Sequence, residues 1–168
     1  DVYCSRRLPE SARKDPVLFG ECIGGALYTE DFKRICRQVG FEDPRVLSVT
    51  PFEIFDRKLK DLVGEAKFYS ITYRCFKLPQ LESICEDYGQ VAIYLGTIPE
   101  HKFSYALDDH HVLETNKPML VCGNTASMLG ETWLKAHFRI IGDRSVHYGA
   151  FDCGSGPAPT AAAGGSCC

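Results

Sequence analysis

No C-x-x-C occurs in these 168 residues, although nine of them are cysteine. That absence argues against a zinc ribbon and against a thioredoxin-type redox pair. No G-x-G-x-x-G follows a strand pattern and no P-loop occurs, so no nucleotide-phosphate cradle is legible. H-E-x-x-H and G-x-S-x-G are missing as well, which removes a zincin helix and a hydrolase nucleophile elbow. The longest apolar runs, such as 91–95, are far too short to span a bilayer, and no signal-peptide pattern is present. The net charge is only -3 and no basic stripe appears, so nucleic-acid binding has no electrostatic support. The expectation is a monomer that engages neither nucleic acid nor membrane.

The cysteines are odd in number and their spacings suggest no disulfide scaffold. They read as mostly free thiols in a reducing, cytoplasmic compartment. One of them stands out. In Gly20-Glu21-Cys22-Ile23-Gly24-Gly25 a thiol sits beside a carboxylate and among three glycines, which leave it little steric cover. An approachable thiol is a candidate soft-metal ligand or nucleophile. The chain closes on Gly164-Gly165-Ser166-Cys167-Cys168, a second place where thiolates gather.

Residues 1–4 read as the end of a strand, and 8–19 as a helical or loop segment interrupted by Pro16. A helix is predicted over 29–39, with Thr29 as N-cap, Glu30 and Asp31 in its first turn, an apolar stripe through Cys36, and Gly40 ending it. Residues 45–55 read as strand, with Pro51 marking a break, bulge or edge. Asp56 caps a short helix, and 67–77 is a strong strand. The segment 79–88 has the spacing of a connecting helix. Beyond it, strands are predicted at 90–97, 103–107, 119–122 and 138–141, with helical turns at 124–129 and 131–136.

This order describes the back half of an α/β sheet followed by a small α+β unit. The expected boundaries are 1–79, 80–153, and a disordered Cys-terminated tail over 154–168 rich in Pro, Ala, Gly and Ser. A half sheet without a nucleotide loop leads to the expectation that an upstream part of the same polypeptide carries one.

Asp1-Val2-Tyr3, Leu8-Pro9-Glu10, the string 20–28 (G-E-C-I-G-G-A-L-Y), Gly40-Phe41, Pro44-Arg45, the strand 67–74 with Phe76-Lys77, and 142–149 with Phe151-Asp152-Cys153 together resemble arsenite methyltransferases, the later stretches resembling algal members. The resemblance implies the C-terminal part of a class I, Rossmann-like methyltransferase fold with an arsenic-binding segment, then the small C-terminal domain. It implies S-adenosylmethionine (SAM) as cofactor, bound by the upstream half. It also implies trivalent arsenic, as arsenite or its thiol conjugates, as substrate, and a thiol reductant.

By the same resemblance Cys22 matches the arsenic-ligating cysteine of the motif, the catalytic position of this chain. Soft trivalent arsenic prefers thiolates by the logic that governs thiophilic metals. Glu21 either orients a ligand or faces solvent, and Cys167 and Cys168 are candidates for auxiliary arsenic capture. Cys153 either joins them or is partly buried. Cys4, Cys36, Cys75, Cys85 and Cys122 fall in or beside regular elements and read as structural. Asp108-Asp109-His110-His111 has the composition of a hard-metal cluster but reads as a solvated loop. The alternative function is a non-catalytic, thiol-based module that binds metalloids or soft metals.

Overall fold

The strand expected over 67–77 is observed over 68–74, inside a four-stranded sheet. The computed structural model describes residues 1–153, so the expected tail lies outside the described residues. Strand β1 (Val2–Cys4) is followed by α1 (Glu10–Arg13) and α2 (Pro16–Gly20). Pro16 opens the second helix rather than merely interrupting the segment. It occupies N1, where its missing N–H costs nothing, and the Asp15 carboxylate accepts from the Val17 and Leu18 amides at 3.0 and 2.9 Å. The chain then returns through β2 (Leu27–Tyr28) into α3 (Thr29–Gln38). Tyr28, not Thr29, is the N-cap of α3 and gives it no side-chain cap.

Strand β3 (Arg45–Phe52), helix α4 (Arg57–Val63) and strand β4 (Phe68–Arg74) complete this half. The sheet order is β2-β1-β4-β3, with β1 parallel to β2 and antiparallel to β4. Pro51 pairs with Tyr69 on the edge strand β3, the one kind of strand that tolerates its missing donor. On one face Phe32 of α3 packs its ring against Tyr3 and Tyr73 at 4.9 and 4.6 Å. Such aromatic pairs add about 1 kcal/mol each beyond area burial. The other face buries Cys4, Leu18, Ile23, Val63 and Phe68.

The predicted helix over 79–88 is absent. Apart from a two-residue strand β5 (Glu86–Asp87), the segment is irregular. Its backbone polar groups are satisfied from outside instead. Asn124 accepts from the Glu82 amide and donates to the Glu82 carbonyl, both at 2.8 Å. Arg144 donates to the Gln80 carbonyl at 2.9 Å.

The remaining elements are β6 (Gln90–Tyr94), β7 (Ser104–Ala106), β8 (Val112–Glu114), β9 (Pro118–Val121), α5 (Gly123–Gly130), a 3-10 turn (Trp133–His137), β10 (Phe138–Ile141) and β11 (Gly149–Ala150). Strands β10, β6 and β9 form one sheet, while β7 pairs with β8 and β11 with β5. A second buried cluster fills this half around Tyr94, Leu107, Val121, Met128 and Leu134. Phe76, just past β4, already packs into it.

Candidate functional site

The expected arsenic ligand occupies an unusual backbone position. Helix α2 ends with the Cys22 amide donating to the Phe19 carbonyl at 3.1 Å and the Ile23 amide to the Leu18 carbonyl at 2.9 Å. This is the bond pattern of a Schellman turn, with Leu18 and Ile23 supplying its apolar contact in the core. The residue that takes the left-handed conformation in such a turn is usually glycine. Here it is Cys22, at φ 63. A side chain in that region costs about 1–2 kcal/mol. Cys22 bears this cost at an exposed position.

The neighbouring residues divide into those that shape the turn and those that do not. Gly24 passes so close to the helix that a Cβ would stand 3.1 Å from the Phe19 nitrogen and 3.3 Å from the Ala12 carbonyl oxygen. A Cβ on Gly25 would meet nothing within 4 Å. Glu21 is the exposed C-cap residue of α2. Cys167 and Cys168 lie outside the described residues. Cys4, read as structural, is fully buried, and its thiol donates to the Arg6 carbonyl at 2.9 Å.

The Asp-Asp-His-His stretch is not a solvated loop throughout. Asp109 and His110 are exposed, but Asp108 and His111 are buried. The cause is Arg45, at the start of β3 and itself buried. Its guanidinium donates to Asp43 at 3.0 Å, to Asp108 at 2.9 Å and to Thr125 at 3.2 Å. His111 adds a contact to Asp108 at 2.8 Å. Burial pushes the Asp108 carboxyl up, but the His111 hydrogen bond and the Arg45 charge outweigh it and hold the group well below its ordinary range. Arg45, Asp108 and His111 are thus spent on one another in a buried ion-pair cluster that ties the start of β3 to the turn between β7 and β8.

Cys85 and Cys122, read as structural, stand together with Cys153. The Sγ atoms of Cys85, Cys122 and Cys153 all lie within 4.8 Å of one another. Pairing of β5 with β11 brings Cys85 beside the end of the described chain, where the Phe151 amide donates to the Cys85 carbonyl at 2.8 Å. Cys122 stands at the N-cap of α5, and its sulfur accepts from the Thr125 amide at 3.5 Å. A hydrogen bond from Cys85, contacts with Thr125, and Arg45 at 3.8 Å hold the Cys122 thiol below its ordinary value. The contact with Cys122, followed by burial, pushes Cys85 up, and burial pushes Cys153 up. No local spacing announces this trio. The one legible signal is Val121-Cys122-Gly123-Asn124-Thr125, with a cysteine where a helix-capping Ser, Thr, Asp or Asn is expected.

An open α/β sheet binds nucleotides in a crevice beyond the carboxyl ends of parallel strands. Here the only parallel strand pairing among the described residues joins β1 to the two-residue β2. A concavity of about 740 Å³ between β3, α4 and β4 contains no cysteine in its lining.

No family model matches the chain. Its fold, mixed α/β, matches about half of a solved methyltransferase chain. The arsenic (III) S-adenosylmethionine methyltransferase from Chlamydomonas reinhardtii superposes with a TM-score of 0.86 at 63% identity, over 90% of this chain and 51% of that one. The curated arsenite methyltransferase of Aquipseudomonas alcaligenes is 51% identical over 93% of this chain and 45% of its own length. The Mus musculus arsenite methyltransferase is 33% identical over 77% of this chain and 34% of its own length. This chain is a homologue of the arsenite methyltransferases and spans between 34% and 51% of the length of these relatives. No helix among the described residues is long and apolar enough to cross a membrane.

Proposed function

We propose that this chain is the C-terminal, arsenic-holding part of a SAM-dependent arsenite methyltransferase of class I fold, acting in arsenic detoxification. The observation that carries the reading is Cys22. It is an exposed thiol at the left-handed position of a tight helix turn, where glycine is the strain-free choice. Backbone strain of this kind clusters at functional positions, where the surrounding structure holds it in place. In this reading Cys22 supplies one As–S bond to trivalent arsenic. Further thiolates, and SAM itself, are held by the part of the relatives that this chain does not cover. Cys167 and Cys168 assist capture, and a thiol reductant keeps the site reduced in the cytoplasm. Residues 1–79 and 80–153 act as two packing units, locked together through Arg45. We further take the whole enzyme to be a monomer that binds neither nucleic acid nor membrane.

The test uses the longer enzyme. Cys22→Ser replaces a soft thiolate with a hard hydroxyl and abolishes formation of methylated arsenicals in a steady-state assay. Deleting residues 164–168 weakens turnover at low arsenite but leaves it largely intact at saturation. A Cys22→Ser enzyme with near-normal turnover overturns the assignment. A tail deletion that stops catalysis outright reverses the two roles.

A second reading, a thiol-based binder without turnover, is favoured by the clustering of Cys85, Cys122 and Cys153. Arsenite uptake by the longer protein without any methylated product, with SAM and a thiol reductant supplied, decides for it.

A further inference from the structure

We propose that Cys85, Cys122 and Cys153 form a second arsenic site, a partly buried three-thiolate cluster that takes trivalent arsenic from arsenite independently of Cys22. The site goes beyond the methyl-transfer reading, because binding there needs neither SAM nor turnover.

Three features point to this occupant. The first is number and reach: three Sγ atoms lie mutually within 4.8 Å, and no fourth His, Cys, Asp or Glu ligand atom joins the cluster among the described residues. A structural zinc site wants four ligands in a tetrahedron. Trivalent arsenic is satisfied by three sulfurs in a pyramid, its lone pair filling the fourth direction. The second feature is charge. Arg45 contacts Cys122, but Asp43 and Asp108 already sit on Arg45 at 2.8 and 2.9 Å. A tris-thiolate arsenic complex is neutral, whereas zinc with three thiolates leaves a net negative charge in a partly buried, carboxylate-rich place. The third feature is preparation. Donors already converge on the Cys122 sulfur, the Thr125 amide at 3.5 Å and the Arg45 guanidinium at 3.8 Å, and such outer partners orient a ligand atom.

The chemistry balances without a redox partner. Arsenous acid, As(OH)₃, exchanges its three As–O bonds for three As–S bonds. The three thiol protons leave with the three hydroxides as three waters, and arsenic stays trivalent throughout. The three ligands come from separate places in the fold, on the segment leading into β5, at the start of α5, and just after β11. Arsenic bound there therefore also ties the end of the described chain to the β6 sheet region.

The experiment uses the 168-residue chain carrying Cys22→Ser, Cys167→Ser and Cys168→Ser, so that the exposed and terminal thiols cannot answer. Under reducing conditions with sodium arsenite as the probe, this variant binds one arsenic per chain. X-ray absorption then shows three sulfur neighbours around it. Adding Cys153→Ser weakens uptake by at least about tenfold, since a lost ligand costs no less than the outer-shell losses known for metal sites. In the unsubstituted chain, arsenite protects Cys85, Cys122 and Cys153 together from alkylation, read by mass spectrometry, which keeps the test valid should a variant fail to fold. Two sulfur neighbours with uptake unchanged by Cys153→Ser overturn the proposal and point to the neighbouring Cys36 and Cys75 pair. Tighter uptake of zinc than of arsenite, measured in competition, overturns the choice of ion and with it the site as stated. None of these outcomes bears on whether the longer enzyme methylates arsenite through Cys22.

Discussion

Arg45, the first residue of β3, meets Asp108, in the turn between β7 and β8, at 2.9 Å with both side chains buried. The pair joins the half that carries Cys22 to the half that carries the three-thiol cluster. Asp109 reinforces the junction by donating its amide to the Val46 carbonyl at 2.8 Å. A guanidinium suits the task because one planar fork serves Asp43, Asp108 and Thr125 at once.

Arg45→Met leaves two carboxylates near the junction without their counter-charge. Removing one member of a buried pair costs about 3–5 kcal/mol, more than replacing the whole pair by apolar groups. Urea unfolding of the 168-residue chain reads this as a lowered midpoint. A loss below about 1 kcal/mol, the scale of a surface ion pair, refutes the lock.

Asp108 also sets a pH dependence. Its carboxyl is held below its ordinary value of 3.8 by His111 and Arg45, against the effect of burial. A group depressed in the folded state contributes stability that is complete above the unfolded value and is lost as pH falls towards the folded one. Stability therefore declines as pH drops through about 4 and below, and Asp108→Asn flattens that part of the curve while lowering stability at neutral pH. Parallel urea titrations across acid pH check the slope. An unchanged acid slope in the variant contradicts the assignment.

Much of the first half was legible because its signals are local. Asp56 before 57–63, the alternation of 68–74 and the acidic start of 29–38 each name an element from its own residues. The segment 79–88 misled for the opposite reason. Its spacing is helical, but Asn124 and Arg144 take its backbone groups, and both lie far along the chain. Asp108 and His111 were misjudged in the same way, since what buries them is Arg45, from another sheet. Cys22 was legible from its glycine frame. Its left-handed turn was not, because cysteine gives no cue that it occupies a glycine position. The cysteine trio depends on the β5–β11 pairing, and two-residue strands leave almost no periodicity to read.

The 168-residue chain alone shows no saturable heat when SAM is titrated into it by calorimetry. The sequence holds no glycine-rich phosphate turn, and the single parallel pairing of strands among the described residues involves a two-residue strand. Micromolar binding to the isolated chain contradicts this and requires a site that the described residues do not suggest.

Cys22→Gly separates folding from chemistry at the candidate arsenic ligand. Glycine enters the left-handed region without penalty, so the variant sheds the strain of a side chain at φ 63. Against this stands the greater freedom of glycine in the unfolded chain, which offsets part of the gain. The expected balance is a chain at least as stable as the parent, better by up to about 1 kcal/mol. The exposed thiol makes no core contact whose loss reverses that sign. In the longer enzyme the same substitution removes methylation of arsenite as completely as Cys22→Ser. Urea unfolding and a turnover assay on the one variant decide the matter. Lost stability shows that the thiol is structural after all, whereas retained turnover shows that arsenic is held elsewhere.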